Sequence, residues 1–205
     1  GKYRTLDLDY VAVKSPQFSY SRIKGADPLL YVEMASTGEV ASFGETYHEA
    51  LLTSLMAAGF RLPKKNILVS LGKEENKIKL LPSIRTLAEM GFTLFATEQT
   101  AEYLKNAGLP CTLVYKISTA KDPNVRQLLD EGKLDLIINI PARGFAREGN
   151  GNGKHTDGYI IRRKAVDVGI PLITNRQLAE AFITAFAETR NKRIPVKPWS
   201  EYQNG

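Results

Sequence analysis

The chain divides into two regions that differ in the spacing of their hydrophobic residues. From residue 66 onward, short apolar runs alternate with amphipathic stretches of helical length. The runs are almost uninterrupted, which is typical of strands buried on both faces of a sheet. The predicted strands are NILVSLG (66–72), FTLFAT (92–97), CTLVYKI (111–117), LDLIINI (134–140) and IPLIT (170–174). The predicted helices lie near 76–90, 98–107, 122–131, 158–168 and 175–190.

This alternation predicts an α/β fold, with a doubly wound, five-stranded parallel sheet covered by helices on both faces. Ligands of such sheets bind beyond the carboxyl ends of the strands. The residues that directly follow each strand are therefore the first candidates for a functional site.

The first third of the chain has a different pattern. Runs at 9–14 (DYVAVK), 28–34 (PLLYVEM) and 39–43 (EVASF) are separated by Ser, Gly, Asp and Pro, which predicts short antiparallel strands. GETYHEALLTSLMAAG then has apolar residues at helical spacing and ends on Gly59, a residue suited to a helix C-cap. Because the polar segment RLPKKN follows, we predict a β-plus-helix appendage over 1–60 and the main domain over 61–205.

Composition narrows the classes of function. One cysteine excludes an intrachain disulfide and a thiolate metal site, and it favours a reducing, cytoplasmic compartment. No apolar run is long enough for a membrane span, the amino terminus lacks a signal-peptide core, and the opening glycine suggests a fragment of a longer protein. The net charge of +6 is dispersed, so it gives no specific support for nucleic-acid binding and suits a small phosphorylated ligand.

Hydroxyl, ammonium and amide groups follow the predicted strands. In ATEQT, Thr97 and Thr100 flank a predicted helix start, where free N–H groups and the helix dipole favour an anion. Alternatively, Thr97 is only the N-cap and the hydroxyl of Thr100 bonds the backbone. The candidates are Ser70, Gly72, Lys73 and Lys77 after the first strand, Thr97 and Thr100 after the second, Lys116 and Ser118 after the third, and Asn139, Pro141, Arg143 and Gly144 after the fourth.

Several runs resemble one known family. SPQFSYSRIKGADPLLYVEMASTGEVASFGETYHEALL, followed in order by FATEQTAEYL, LVYKI, LIINIP and YIIRRKAVDVGIPLITN, resembles the carbamoyl-phosphate synthetase large subunit. The resemblance covers the end of its second ATP-grasp unit and its C-terminal regulatory domain, which has the methylglyoxal-synthase-like fold. It implies allosteric control by uridine nucleotides, IMP or phosphoribosyl pyrophosphate in pyrimidine-linked members, and by N-acetylglutamate in urea-cycle members.

The resemblance also implies which residues bind the effector. Thr97 and Thr100 match the pocket threonines, Lys77 and Lys116 match lysines that reach the phosphate, and Ser70 and Asn139 match residues that line the pocket. Lys116, with Arg143 nearby, favours a phosphorylated effector, whereas Tyr115 leaves an acetylglutamate-type pocket open. In IIRRKAVD, one arginine is expected to face the pocket and the other solvent or Asp167, and Arg163 is the one we assign to the pocket.

The fragment alone is predicted to be a regulator without catalytic residues, metal site or cofactor. A methylglyoxal-synthase-type phosphate lyase needs a carboxylate base at the strand ends, where only Glu98 is acidic. No GxxxxGK[ST] loop is present either. By resemblance, the parent enzyme uses ATP and Mg²⁺ for pyrimidine or arginine biosynthesis, and the fragment's partners are the rest of the large subunit and a glutaminase subunit or domain.

The two histidines and the glycine-rich stretch of the chain are assigned no role in the site. His48, with Glu45 and Glu49 near it, lacks a second histidine or cysteine for a metal site, and His155 is expected to be solvated. The glycine-rich stretch 144–158 is predicted to be a flexible loop that either closes over the effector or is a surface insertion. The sequence leaves open whether the effector inhibits or activates and whether the fragment forms a homo-oligomer.

Overall fold

The computed structural model describes residues 9–22, 25–29, 38–142, 149–150, 154–190, 192, 194 and 197–202. The strands are β1 (Val11–Gln17), β2 (Gly38–Gly44), β3 (Asn66–Leu71), β4 (Thr93–Thr97), β5 (Thr112–Val114), β6 (Leu136–Ile140), β7 (Gly149–Asn150), β8 (Lys154–His155) and β9 (Leu172–Ile173). The helices are α1 (Tyr47–Ala57), α2 (Glu74–Glu89), α3 (Glu98–Asn106), α4 (Val125–Asp130), α5 (Asp157–Asp167), α6 (Arg176–Thr189) and α7 (Trp199–Tyr202), with a 3₁₀ turn at Tyr20–Arg22.

A five-stranded sheet forms the centre of the molecule. Its strand order is β5-β4-β3-β6-β9, and each neighbouring pair is parallel. The order reverses at β3, because β4 lies on one side of it and β6 on the other. This confirms the predicted α/β class with a five-stranded parallel sheet.

Side chains alternate between the two faces of the sheet, and each face has its own hydrophobic core. In β3, Ile67 and Val69 pack in the core that also contains buried residues of α1, α2, α3 and α6, whereas Leu68 packs in the core beneath α4 and α5. In β6, Ile138 faces the first core and Ile137 the second. The sheet is therefore doubly wound, as predicted.

The helices begin and end close to the predicted positions. The largest difference is in α4, predicted from residue 122, which begins only at Val125. Asn124 forms a capping box with Gln127, and this reciprocal pair of bonds fixes the first turn of α4. The edge strands β5 and β9 are also shorter than predicted, since each pairs on one side only within the described residues.

The amino-terminal appendage contains one two-stranded antiparallel sheet and one helix. β1 pairs with β2 from Val11↔Gly44 to Gln17↔Gly38. Pro16 lies inside β1, which is tolerated because β1 has one neighbouring strand, β2, in the part of the chain that the structure describes. The strand predicted at 28–34 is not present at residues 28–29, and residues 30–34 lie outside the described residues.

Helix α1 packs against the main domain and joins the appendage to it. Its residues Leu51 and Leu52 are buried in the same core as the sheet, and the ring of Phe60 lies 5.1 Å from that of Phe182 in α6. Gly59 has φ +92°, a conformation that favours glycine, so it ends α1 as predicted. The predicted linker RLPKKN contains no helix or strand over residues 61–65, and its last residue, Asn66, is the first residue of β3.

The remaining segments are short. β7 and β8 form an antiparallel pair inside the predicted loop, and residues 144–148 and 151–153 of that loop lie outside the described residues. Across the described parts of the chain, no helix is both long and apolar enough to cross a membrane.

Candidate anion-binding site at the strand ends

Three of the predicted site residues meet at the carboxyl ends of the central strands. Ser70 in β3 is the register partner of Asn139 in β6, and Thr97 Oγ1 donates a hydrogen bond of 3.1 Å to Ser70 Oγ. Thr97 and Asn139 are each only 3% exposed. Side chains along a strand alternate between the two faces of the sheet. Each of the three residues lies two positions from a residue of the same strand that packs on the α4–α5 side, so all three side chains face α4 and α5.

The two threonines of ATEQT have different roles in the structure. Thr97 occupies the N-cap position of α3, but its side chain makes no capping bond, so its hydroxyl is used on Ser70 instead. The hydroxyl of Thr100, which is 1% exposed, accepts a 2.9 Å bond from the backbone N–H of Leu71. For Thr100 the structure therefore has the backbone-bonding arrangement that the sequence left as an alternative.

Lys77 places a positive charge at the end of a largely buried side chain beside α3. Lys77 is 8% exposed although its side chain ends in an ammonium group. The nearest carboxylate is that of Glu74 at 3.8 Å, which is too long for a hydrogen bond. The ammonium also lies 5.9 Å from the ring centroid of Tyr103, which places it against α3. Within the described residues, this charge is only weakly compensated.

Lys116 lies in the loop after β5, and a carboxylate holds that loop to α3. Glu98 Oε1 accepts bonds of 3.3 Å from the backbone N–H of Lys116 and from Thr119 Oγ1. Glu98 Oε2 is buried and has no hydrogen-bond partner among the described residues. On the other side of the loop, Asp157 accepts bonds of 2.7 and 2.6 Å from the backbone N–H and hydroxyl of Ser118.

The structure assigns the two arginines of α5 in the opposite way from the sequence prediction. Arg162 is fully buried and its Nη1 donates a 2.9 Å bond to Asn139 Oδ1 at the strand ends. Arg163, which we predicted to face the pocket, pairs with Asp167 and donates to the backbone carbonyls of residues 20 and 26. The predicted orientation was wrong because Arg162 lies in the stripe of α5 that also carries Ile161 and Ala165, whereas Arg163 lies beside that stripe.

Asp27 was missed altogether by the sequence analysis. Its carboxylate accepts bonds of 2.8 and 2.6 Å from Arg162, so it neutralises the buried guanidinium. Nothing in its local sequence, GADP, distinguishes it from a turn residue. The predicted site residue Arg143 lies outside the described residues.

A separate cavity of about 740 Å³ lies between the appendage and the main domain. Phe18 and Leu29 line it from the appendage, and Lys73, Pro141, Thr174 and Arg176 line it from the loops beyond β3, β6 and β9. Of the two cations named, Arg176 is already engaged, because its Nη1 lies 2.6 Å from Glu180 Oε1 on the same helix. None of Ser70, Thr97, Asn139 and Lys116 lines this cavity.

Comparison with known proteins gives three results. Residues 79–174 match the MGS-like domain family. The chain is 47% identical to the multifunctional protein pyrABCN of Emericella nidulans over 190 residues, which is 89% of this chain. It is 42% identical to the mitochondrial carbamoyl-phosphate synthase (ammonia) of Homo sapiens over 190 residues, which is 90% of this chain.

The matched relatives are much longer than this chain. It spans 8% of the length of pyrABCN and 12% of that of the human synthase. Among solved structures, methylglyoxal synthase from Elizabethkingia anophelis aligns at 16% identity with a TM-score of 0.45, covering 67% of this chain and 97% of that one.

Proposed function

The chain belongs to the MGS-like domains of the carbamoyl-phosphate synthase type, and on that premise we propose that it binds a phosphorylated allosteric effector at the strand ends. The effector class is UMP or UTP, IMP, or phosphoribosyl pyrophosphate. Its binding would control carbamoyl phosphate synthesis for pyrimidine or arginine biosynthesis. The chemistry that uses ATP and Mg²⁺, and the partner glutaminase, would belong to the parts of the synthase beyond this chain.

The observation that carries this proposal is Lys77, a largely buried residue whose ammonium makes no hydrogen bond to any residue that the structure describes. A charge that is removed from water is costly unless it is paired and hydrogen-bonded. The carboxylate of Glu74 gives little compensation, since it is 3.8 Å away and its side chain is 71% exposed. A phosphate placed between Lys77 and the first turn of α3 would provide the missing partner.

Two further features favour an anion at the same place. The side chain of Thr97 leaves the first N–H groups of α3 without a capping acceptor, and helix amino termini attract anions. Lys116, in the loop fixed by Glu98, makes no ion pair with any residue that the structure describes. Positive charge and free donors therefore come from α2, α3 and the loop after β5.

We propose that the site binds its ligand without turnover. A phosphate lyase would need a free carboxylate to remove a proton. Glu98 Oε1 is already an acceptor for Lys116 and Thr119, and Glu98 Oε2 has no partner among the described residues but is buried from solvent. Both oxygens of Asp27 are held by Arg162. A negative result for phosphate release from dihydroxyacetone phosphate is therefore expected, whereas steady release would support the lyase alternative.

Isothermal titration calorimetry tests the effector class. We expect saturable binding of at least one of UMP, UTP, IMP and phosphoribosyl pyrophosphate, and loss of that binding in Lys116→Ala. Lys133→Ala is the matched control, because Lys133 is an exposed lysine whose ammonium pairs with Glu131 before β6 begins. Unchanged affinity in Lys116→Ala would contradict the site assignment.

N-acetylglutamate is included in the titration as the alternative effector. Identities of 47% and 42% to the two relatives are too similar to separate the pyrimidine-linked from the ammonia-dependent type. Binding of N-acetylglutamate alone would place the chain with the latter and would show that the lysines do not select for phosphate.

A further inference from the structure

Arg162 joins the strand-end site to the amino-terminal appendage. Its side chain is fully buried between them. On one side, Nε and Nη2 donate to the two carboxylate oxygens of Asp27 at 2.8 and 2.6 Å, in the two-pronged geometry that favours arginine over lysine. On the other side, Nη1 donates to Asn139 Oδ1 at 2.9 Å. A single guanidinium thus bonds residue 27 and residue 139 at the same time.

This arrangement determines which end of the Asn139 amide is available to a ligand. A guanidinium group has donors only, so it must face the amide oxygen. The two N–H donors of Asn139 are therefore the groups left for other partners. Since Asn139 is the register partner of Ser70, those donors belong to the same strand-end site as Ser70 and Thr97.

The same contacts couple Asn139 to the appendage. Breaking one side of a buried charge pair is costly, so Arg162 has to keep Asp27 when Asn139 moves. The neighbouring Arg163 fastens the same part of the appendage, because its Nη1 donates 3.1 Å bonds to the carbonyls of Tyr20 and Ala26. Helix α5 therefore holds residues 20–27 with two consecutive arginines.

We infer that Arg162 is a positioning residue with two effects. It presents the Asn139 amide to an effector as a hydrogen-bond donor, and it transmits displacement of Asn139 to Asp27 and the appendage. This inference rests on the proposed function, because it names the route by which occupancy of the strand-end site would reach the remainder of a synthase. The displacement is transmitted by the hydrogen bonds of Arg162 to Asp27 and Asn139, so a substitution can remove these bonds without changing Lys77 or Lys116.

The first test needs no ligand. In ¹⁵N-labelled protein, Asp27→Asn removes the charge that holds Arg162, and the side-chain amide resonance of Asn139 is expected to shift. Asp167→Asn is the matched control, since it removes a carboxylate from Arg163 on the same helix and leaves Arg162 paired. An Asn139 resonance that is unchanged in Asp27→Asn would overturn the inference. If that variant lacks a native spectrum, Asp27→Glu replaces it. That variant keeps the charge but displaces the carboxylate by one methylene, so a smaller shift of the Asn139 resonance is expected.

The second test titrates UMP, UTP, IMP and phosphoribosyl pyrophosphate into the unchanged protein and both variants. We expect Asp27→Asn to weaken nucleotide binding about fivefold or more, and Asp167→Asn to leave it unchanged. In the unchanged protein, backbone resonances of residues 25–29 are expected to shift on binding. Nucleotide binding without these shifts, or with equal affinity in Asp27→Asn, would overturn the inference and leave the proposed function standing. No binding to the unchanged protein would overturn both.

Discussion

Replacement of Lys77 by methionine should weaken effector binding without lowering the stability of the protein. The substitution keeps an unbranched apolar stem of similar length and removes an ammonium on a residue that is 8% exposed. Without effector, the contacts of that ammonium among the residues described are the exposed carboxylate of Glu74 at 3.8 Å and the ring of Tyr103 at 5.9 Å. The folded protein therefore loses little attraction and is relieved of the cost of burying a charge.

The size of both effects follows from these contacts. Replacing a poorly compensated buried charge by an apolar group is expected to leave the free energy of unfolding unchanged or raise it by about 1 kcal/mol. A hydrogen bond between a charged donor and a phosphate is worth roughly 1.5–3 kcal/mol. Its loss should weaken effector binding about ten- to a hundredfold.

Urea unfolding and calorimetric titration measure the two quantities on the same samples. Lys79→Met is the control, because Lys79 lies on the same helix, is half exposed and pairs with Glu75 at 2.6 Å. It should change neither quantity appreciably. If Lys77→Met lowers the stability and binds effector as tightly as the unchanged protein, Lys77 is a structural lysine and the argument for an anion site fails.

Three further outcomes are expected. Thr100→Val removes the acceptor of a buried backbone N–H in β3 and should lower the free energy of unfolding by roughly 1–3 kcal/mol, with most of it recovered in Thr100→Ser. Gly72→Ala would place a Cβ 2.2 Å from the backbone nitrogen of Ala142 and should destabilise the folded protein by about 2 kcal/mol. Gly38→Ala is the control, because its Cβ would meet only a side-chain atom at 3.8 Å. Equal urea midpoints for the two variants would refute this. Burial raises the pKa of the Cys111 thiol above its ordinary value of 9.0, so at pH 8 iodoacetamide should alkylate it more slowly than free cysteine, and faster as the pH rises.

The sheet was predictable because its strands are buried on both faces. Short, almost uninterrupted apolar runs such as 66–71 and 136–140 are typical of buried strands, and the segments between them have apolar residues at helical spacing. The appendage was predicted less well. Its strands are exposed on one side, and β1 extends through Pro16, which the sequence gives reason to exclude.

The site was predictable where the end of a strand fixes the position of a residue in the fold. The register that pairs Ser70 with Asn139 follows from neighbouring parallel strands. The arginine assignment failed because adjacent helix positions point about 100° apart, and only the packing of Ile161 and Ala165 decides which one is buried. Asp27 could not be found, because it reaches Arg162 from 135 residues away in the chain.

The core shared by α1 and the sheet has a consequence for how this domain can be separated from its surroundings. Leu51 and Leu52 are 5% and 1% exposed, and burying each such side chain contributes about 1.5–3 kcal/mol. Their sum is a large part of the roughly 5–15 kcal/mol that keeps a typical domain folded. A cut at residue 61 would therefore divide a cooperative unit. Any gene fusion that transplants this domain has to carry its connecting helix with it.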